Sequence, residues 1–139
     1  MPDLERFVEA QKPDYERALT EIRSGRKRSH WMWYVFPQID GLGSSAMSRR
    51  YAIEGIAEAE AYLKHPTLGP RLVECFEAVH ALEGKSAADV FGYPDDMKLR
   101  SSATLFARVS PPGSVFERVL AKFFHGEPDE ATLRLLRND

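Results

Sequence analysis

An anion could be held where a run of cations, Arg23, Arg26, Lys27 and Arg28, leads into Ser29, because helix N-termini expose free N–H groups and the positive end of the dipole. The next residues are His30-Trp31-Met32-Trp33-Tyr34-Val35-Phe36-Pro37-Gln38, which include both tryptophans of the chain. Trp31 or Trp33 could stack a base or another flat group. Beyond them, Gly41-Leu42-Gly43-Ser44 is a turn whose glycines would let the backbone approach a phosphate, although it matches neither a P-loop nor a dinucleotide fingerprint. Lys27, Ser29, His30, Trp31, Trp33, Gln38, Gly41, Gly43 and Ser44 are therefore candidate ligand-binding residues. His30, an imidazole next to the cations and the tryptophans, is the candidate for acid–base chemistry. The competing structural reading has the tryptophans in the core, the cations on a solvated loop and His30 held by hydrogen bonds.

A second polar group, Lys98, Ser101 and Ser102, falls at i, i+3 and i+4, on one face of a helix. These residues could line the same pocket as the first group. Equally, short hydroxyls can serve close helix packing and bond their own helix backbone. No nucleophile elbow surrounds either serine. Histidines 30, 65, 80 and 125 show no metal-ligand spacing, so neither a metal nor a cofactor is expected. His65, before Pro66, reads as a helix C-terminal group favoured by the dipole. Asp95 and Asp96 read as the acidic start of a helix and point about 100° apart, a poor pair for acid–base work.

These side chains must be carried by a scaffold that the totals bound. A chain of 139 residues, 43% hydrophobic and 29% charged, fits one domain spanning residues 1–139. A net charge of −2 argues against general nucleic-acid binding. The acidic N-terminus has no export-type apolar region, and no apolar run is long enough to span a membrane. With a single cysteine, Cys75, and hence no internal disulfide, the expected location is the cytoplasm. No pattern specifies an oligomeric state.

Between breakers, every segment carries a helical period. Leu4, Phe7 and Val8 predict a first helix capped by Asp3, and Tyr15, Ala18, Leu19 and Ile22 a second, ended by Gly25. Ser29 is a candidate cap for a short helix through Trp31–Val35, halted by Pro37; the alternative is a strand, disfavoured because no comparable partner strand exists. Ser44 or Ser45 could cap a short helix carrying Met47 and ending near Tyr51. Ile56, Ala59 and Leu63 form a helix ending near Pro66. Leu68, Leu72, Cys75, Phe76, Val79 and Leu82 give the strongest stripe in the chain. Ser86 with Asp89 resembles a capping box. Met97, Ser101, Leu105 and Val109 form a stripe after Pro94-Asp95-Asp96, and Ser114 and Asp129 cap the last two helices. The expected architecture is a mainly α domain of seven to nine short helices.

Several phrases also resemble a known family: Gly25-Arg26-Lys27-Arg28-Ser29-His30-Trp31-Met32-Trp33, Phe36-Pro37-Gln38, Gly41-Leu42-Gly43-Ser44, Tyr62-Leu63-Lys64-His65-Pro66-Thr67-Leu68-Gly69, and Asp95 through Phe106. In this order they are similar to bacterial domain-of-unknown-function family 1810, nearly end to end. The resemblance implies a mainly α-helical domain and no established activity. Some members are labelled calpastatin, a name for a disordered protease inhibitor that does not suit a chain with 11% aromatics and a strong core pattern.

The functional expectation is binding of a small anionic, phosphate-bearing ligand such as a nucleotide in a basic and aromatic cleft. These residues specify binding and not a reaction. The alternative is a protein-interaction module using an aromatic surface patch. Since residues two apart on a helix point about 160° away from each other, one tryptophan is expected inside and the other at a cleft edge beside Lys27 or His30. Cys75, inside the strongest stripe, should be a buried hydrophobe: the native protein should label slowly with a bulky thiol reagent, and Cys75→Ala should cost stability rather than function. Rapid labelling would place the thiol at the surface.

Overall fold

A computed structural model describes residues 3–137. It carries ten helices among the described residues, where the sequence led us to expect seven to nine. They are α1 (Glu5–Gln11), α2 (Tyr15–Arg23), α3 (Met32–Val35), α4 (Ala46–Arg50), α5 (Ile56–Lys64), α6 (Leu68–His80), α7 (Ala87–Phe91), α8 (Asp95–Arg108), α9 (Val115–Phe123) and α10 (Glu130–Arg137). The sequence predicts short helices at α3 and α4, whereas α7, where it predicts a single turn, closes as a helix; these three are the briefest elements. Two of the three have a side-chain cap: Ser45 Oγ accepts from the Ser48 N–H, and Ser86 and Asp89 form a reciprocal capping box. A parallel bridge, Ile39 to Ile53, is the extended pairing present among the described residues.

Other ends differ from the sequence reading for local reasons. Leu4 takes the cap position of α1 without a side-chain bond, and Trp31 does so for α3, so neither Asp3 nor Ser29 is a cap. Ser29 has been drawn to another partner, described below. His65 ends α5, as expected, its N–H donating to the Tyr62 carbonyl at 3.2 Å, while its Nδ1 atom accepts the N–H groups of Thr67 at 3.1 Å and Leu68 at 3.2 Å, so its side chain serves the start of α6.

Helix α8 is the centre. Its residues Ser101 to Phe106 are consecutively buried, which a helix achieves only when covered all round. It packs on α7, α9 and α10; α9 in turn meets α6, and α6 meets α2 and α5. Through this frame runs a chain of edge-on rings: Phe36 on Phe76 at 5.0 Å and Phe76 on Phe116 at 4.9 Å between centroids, with Phe106 completing the link to Tyr62. Such pairs add about 0.5–1.5 kcal/mol beyond area burial. Leu72, Cys75 and Phe76 face this core, as the stripe in α6 predicts. Burial pushes the Cys75 thiol up to about 12. None of the helices is long and apolar enough to cross a membrane.

Phe76 is fully buried between Phe36 and Phe116. Phe76→Ala should therefore lower unfolding free energy by about 3–5 kcal/mol in a denaturant titration. A loss below about 0.5 kcal/mol, the scale of surface changes, would mean that α6 does not face the core.

Candidate functional site

The site begins with a carboxylate that the sequence did not advertise. Glu21 lies in the last turns of α2, where the helix is ended by Gly25 in the left-handed region at φ +83°. The chain then folds back over its own helix end, and Glu21 collects the returning donors. Its Oε1 accepts from the N–H of Arg28 at 2.7 Å, the N–H of Ser29 at 3.0 Å and the indole Nε1–H of Trp31 at 2.9 Å. The Ser29 hydroxyl donates to Oε2 at 2.6 Å. Burial by itself would raise this acid; the hydrogen bonds from Ser29, Arg28 and Trp31 outweigh it and hold the carboxyl down at about 2.

This anchoring sets the alternation of the basic run. Arg26 and Arg28 point to solvent, while Lys27 turns inward with its side chain 8% exposed. Its N–H donates to the Val90 carbonyl at 2.7 Å. Its ammonium reaches the Ser29 carbonyl at 2.5 Å and Asp95 Oδ2 at 3.0 Å, and sits 5.1 Å from the centre of the Trp31 ring. The second oxygen of Asp95 pairs with Lys98 at 3.3 Å. Lys98 in turn lies 5.3 Å over the ring of Trp33. Two lysines thus share one carboxylate beneath a tryptophan, leaving one positive charge in excess in a half-buried setting.

The tryptophans divide as the helical spacing predicts. Trp31 is fully buried against Phe36 and Phe91, and Trp33 is half-buried at the surface. The exposed-side partner is Lys98, however, and not Lys27 or His30. His30 is exposed, and its carbonyl accepts from the Tyr34 hydroxyl at 3.3 Å.

Trp33, Gln38, Gly41 and Gly43 border one recess together with Ser48 and Tyr51. It is shallow, about 10 Å³, room for about one water. The glycines serve the chain's own packing: a Cβ on Gly41 would meet Leu135 at 3.1 Å, and one on Gly43 would meet Ser48 at 2.5 Å. The close approach foreseen for a phosphate is thus taken by Leu135 and Ser48. Ser44 is exposed outside the recess. The Gln38 amide and the Trp33 indole N–H have no hydrogen-bond partner among the described residues.

On α8, Ser101 donates to the Met97 carbonyl at 3.1 Å, the backbone-bonding alternative foreseen for it. Ser102 differs. Its hydroxyl is the buried side-chain polar atom left without a partner among the described residues, and it shares the helix face of Asp95 and Lys98. The structure therefore brings Lys27, Trp33 and Lys98 together around Asp95, sets Gln38 in the recess beside Trp33, gives Ser29 and Trp31 to Glu21, and buries Ser102 within the packing of α8. Among the described residues, no three His, Cys, Asp or Glu side chains gather as a metal-ligand set.

Sequence reasoning missed Glu21 and gave Asp95 only a helix-start role. A weak signal existed for each. An acid near a helix C-terminus opposes the dipole and asks for a local reason. Asp95 also stands three residues before Lys98, where helical neighbours pair.

A helical scaffold with a basic and aromatic surface cluster defines a class of architecture, not an activity. The chain belongs to the family described as protein of unknown function (DUF1810), whose model matches residues 1–136. It is similar to the conserved hypothetical protein Rv1873 from Mycobacterium tuberculosis, known from a crystal structure. The two are 52% identical, the match covers 97% of this chain and 96% of that one, and the TM-score is 0.95. Comparison with curated proteins finds no match.

The Glu21 network carries a signed pH dependence. A carboxyl held at about 2 in the native state against an ordinary 4.5 contributes stability above about pH 4.5, and that contribution is lost as pH falls towards 2. Glu21→Gln should cost about 1–3 kcal/mol at neutral pH, because it leaves buried donors mismatched, and should flatten the loss over that acid range. An unchanged acid limb in the variant would assign the acid sensitivity to other carboxyls.

Proposed function

We propose that this protein binds a small anionic ligand that bears a phosphate and a flat ring, such as a nucleotide, across the Trp33–Lys98 face. The reading is supported above all by Lys27 and Lys98 sharing the single carboxylate of Asp95 beside a half-exposed indole. An anion there would meet a positive charge that no second carboxylate cancels, and a ring would meet Trp33. Gln38 offers an unpaired amide at the rim, which suits the edge of a heterocycle. Because the recess itself is shallow, the ligand lies across the surface and not within a cavity. The proposal is one of binding; an acid–base role would fall to exposed His30. A reducing compartment such as the cytoplasm suits the free, buried Cys75.

The alternative, a protein-interaction module, has one observation in its favour. Tyr93, two residues before Asp95, is 84% exposed, so Trp33 and Tyr93 could form the aromatic patch.

Thermal-shift measurements against nucleotides, phosphometabolites and inorganic phosphate test the proposal. A ligand at 100 times its dissociation constant stabilises by about 2.7 kcal/mol. The expected outcome is a shift of the melting midpoint by a phosphate-bearing aromatic ligand, abolished in Trp33→Ala and in Lys98→Ala while both variants remain folded. A panel without any shift, or a shift that both variants retain, would remove the ligand from this face. Binding of a protein partner abolished by Trp33→Ala and Tyr93→Ala, with no small-molecule shift, would establish the alternative.

A further inference from the structure

A groove of about 380 Å³ lies on another side of α8, about 120° round the helix from Lys98 at Thr104, and none of the cluster above contributes to it. Its size falls within the range of small-molecule sites, about 300–1,000 Å³. The walls are the apolar side chains of Ala107, Leu120, Pro128 and Leu133.

The far wall is fixed by polar contacts, two of them part-buried. The Thr104 hydroxyl donates to the Arg100 carbonyl at 2.8 Å and accepts the Asp129 N–H at 2.9 Å, tying the start of α10 to α8. Arg100 also holds the Glu127 carbonyl at 2.9 Å. Just before these ties the chain turns through His125 and Gly126, both with positive φ, at 56° and 76°. A non-glycine residue held in the left-handed region is costly and persists where its surroundings impose it. The groove is therefore preformed.

One cation and one anion border it. Arg108, at the end of α8, borders the groove with its guanidinium unpaired among the described residues. Glu117 also borders it and keeps its negative charge, with Oε1 turned to the Gly113 N–H at 2.7 Å in the loop that opens α9 and no ion pair to Arg108 among the described residues. An apolar trough ending at a free guanidinium is complementary to a molecule with an apolar body and one carboxylate, which Arg binds in a forked pair of hydrogen bonds.

We propose that this groove is a second binding site, for a small amphipathic organic acid whose hydrocarbon part lies along Leu120 and Leu133 and whose carboxylate meets Arg108. It is independent of the Trp33–Lys98 face. Octanoate is the probe, titrated into the intact protein and followed by amide chemical shifts, with octylamine and octanol as comparators. Octanoate should perturb the amides of Ala107, Gly126 and Leu133, octylamine should leave them unchanged, and octanol should bind more weakly. Arg108→Gln, at an exposed position, should fold normally and weaken octanoate about tenfold or more, the equivalent of one charged hydrogen bond. Octanoate that leaves the groove amides unmoved, octylamine that binds as well, or Arg108→Gln that binds octanoate unchanged would each overturn the proposal. Shifts confined to Trp33 and Lys98 would likewise overturn it, since they would place the acid on the other face.

Discussion

The arrangement of the surface cluster depends on one buried carboxylate. Glu21 is shielded from water, a position that costs several kcal/mol for an unpaired ion, and four donors from a single short loop offset that cost. The loop forms no ladder and no helix, and its remaining ties are the Lys27 N–H to the Val90 carbonyl, the Lys85 ammonium to the Gly25 carbonyl and the Lys27–Asp95 pair. Because Arg28 and Ser29 must present their N–H groups to Glu21, Lys27 is turned inward to Asp95 and Trp31 is drawn into the core. Trp33, two residues on, is then left at the surface.

The same constraint shapes the charge of the site. A lysine with its side chain 8% exposed needs compensation, and Lys27 obtains it from Asp95, the Ser29 carbonyl and the face of Trp31. Asp95 also serves Lys98, so compensation is incomplete where Trp33 meets solvent. The adjoining helix α8 tolerates this polar edge because small residues line its buried length. Ser101 and Thr104 return their hydroxyl protons to their own backbone, leaving both available to packing. Ser102 has no such return among the described residues, although it is fully buried.

Much of the scaffold was legible because it follows from local rules. Breakers and apolar periods marked the helices, and Ser45, Ser86 and Ser114 cap where short-range sequence says they should. The count fell short because segments as brief as α3, α4 and α7 carry caps and breakers but too few residues to separate a helix from a turn. Ends slipped where a residue had a better distant partner than its own helix, as Ser29 did. The site was only half legible. The stretch from Lys27 to Gln38 was recognisable by its composition, but the roles within it were not, because composition carries no direction for a side chain.

By itself the sequence determined the helical architecture, the stripe that buries Cys75 and Phe76, and the opposition of Trp31 to Trp33, since all three follow from 3.6 residues per turn. The tertiary structure alone decided which tryptophan went inside, that Lys27 faces Asp95, and that Leu135 and Ser48 occupy the space beside Gly41 and Gly43. Those outcomes rest on pairings between residues far apart in the chain. Such pairings are selected by the cost of burying a charge or a donor unpaired, and that cost is defined only once the helices have packed.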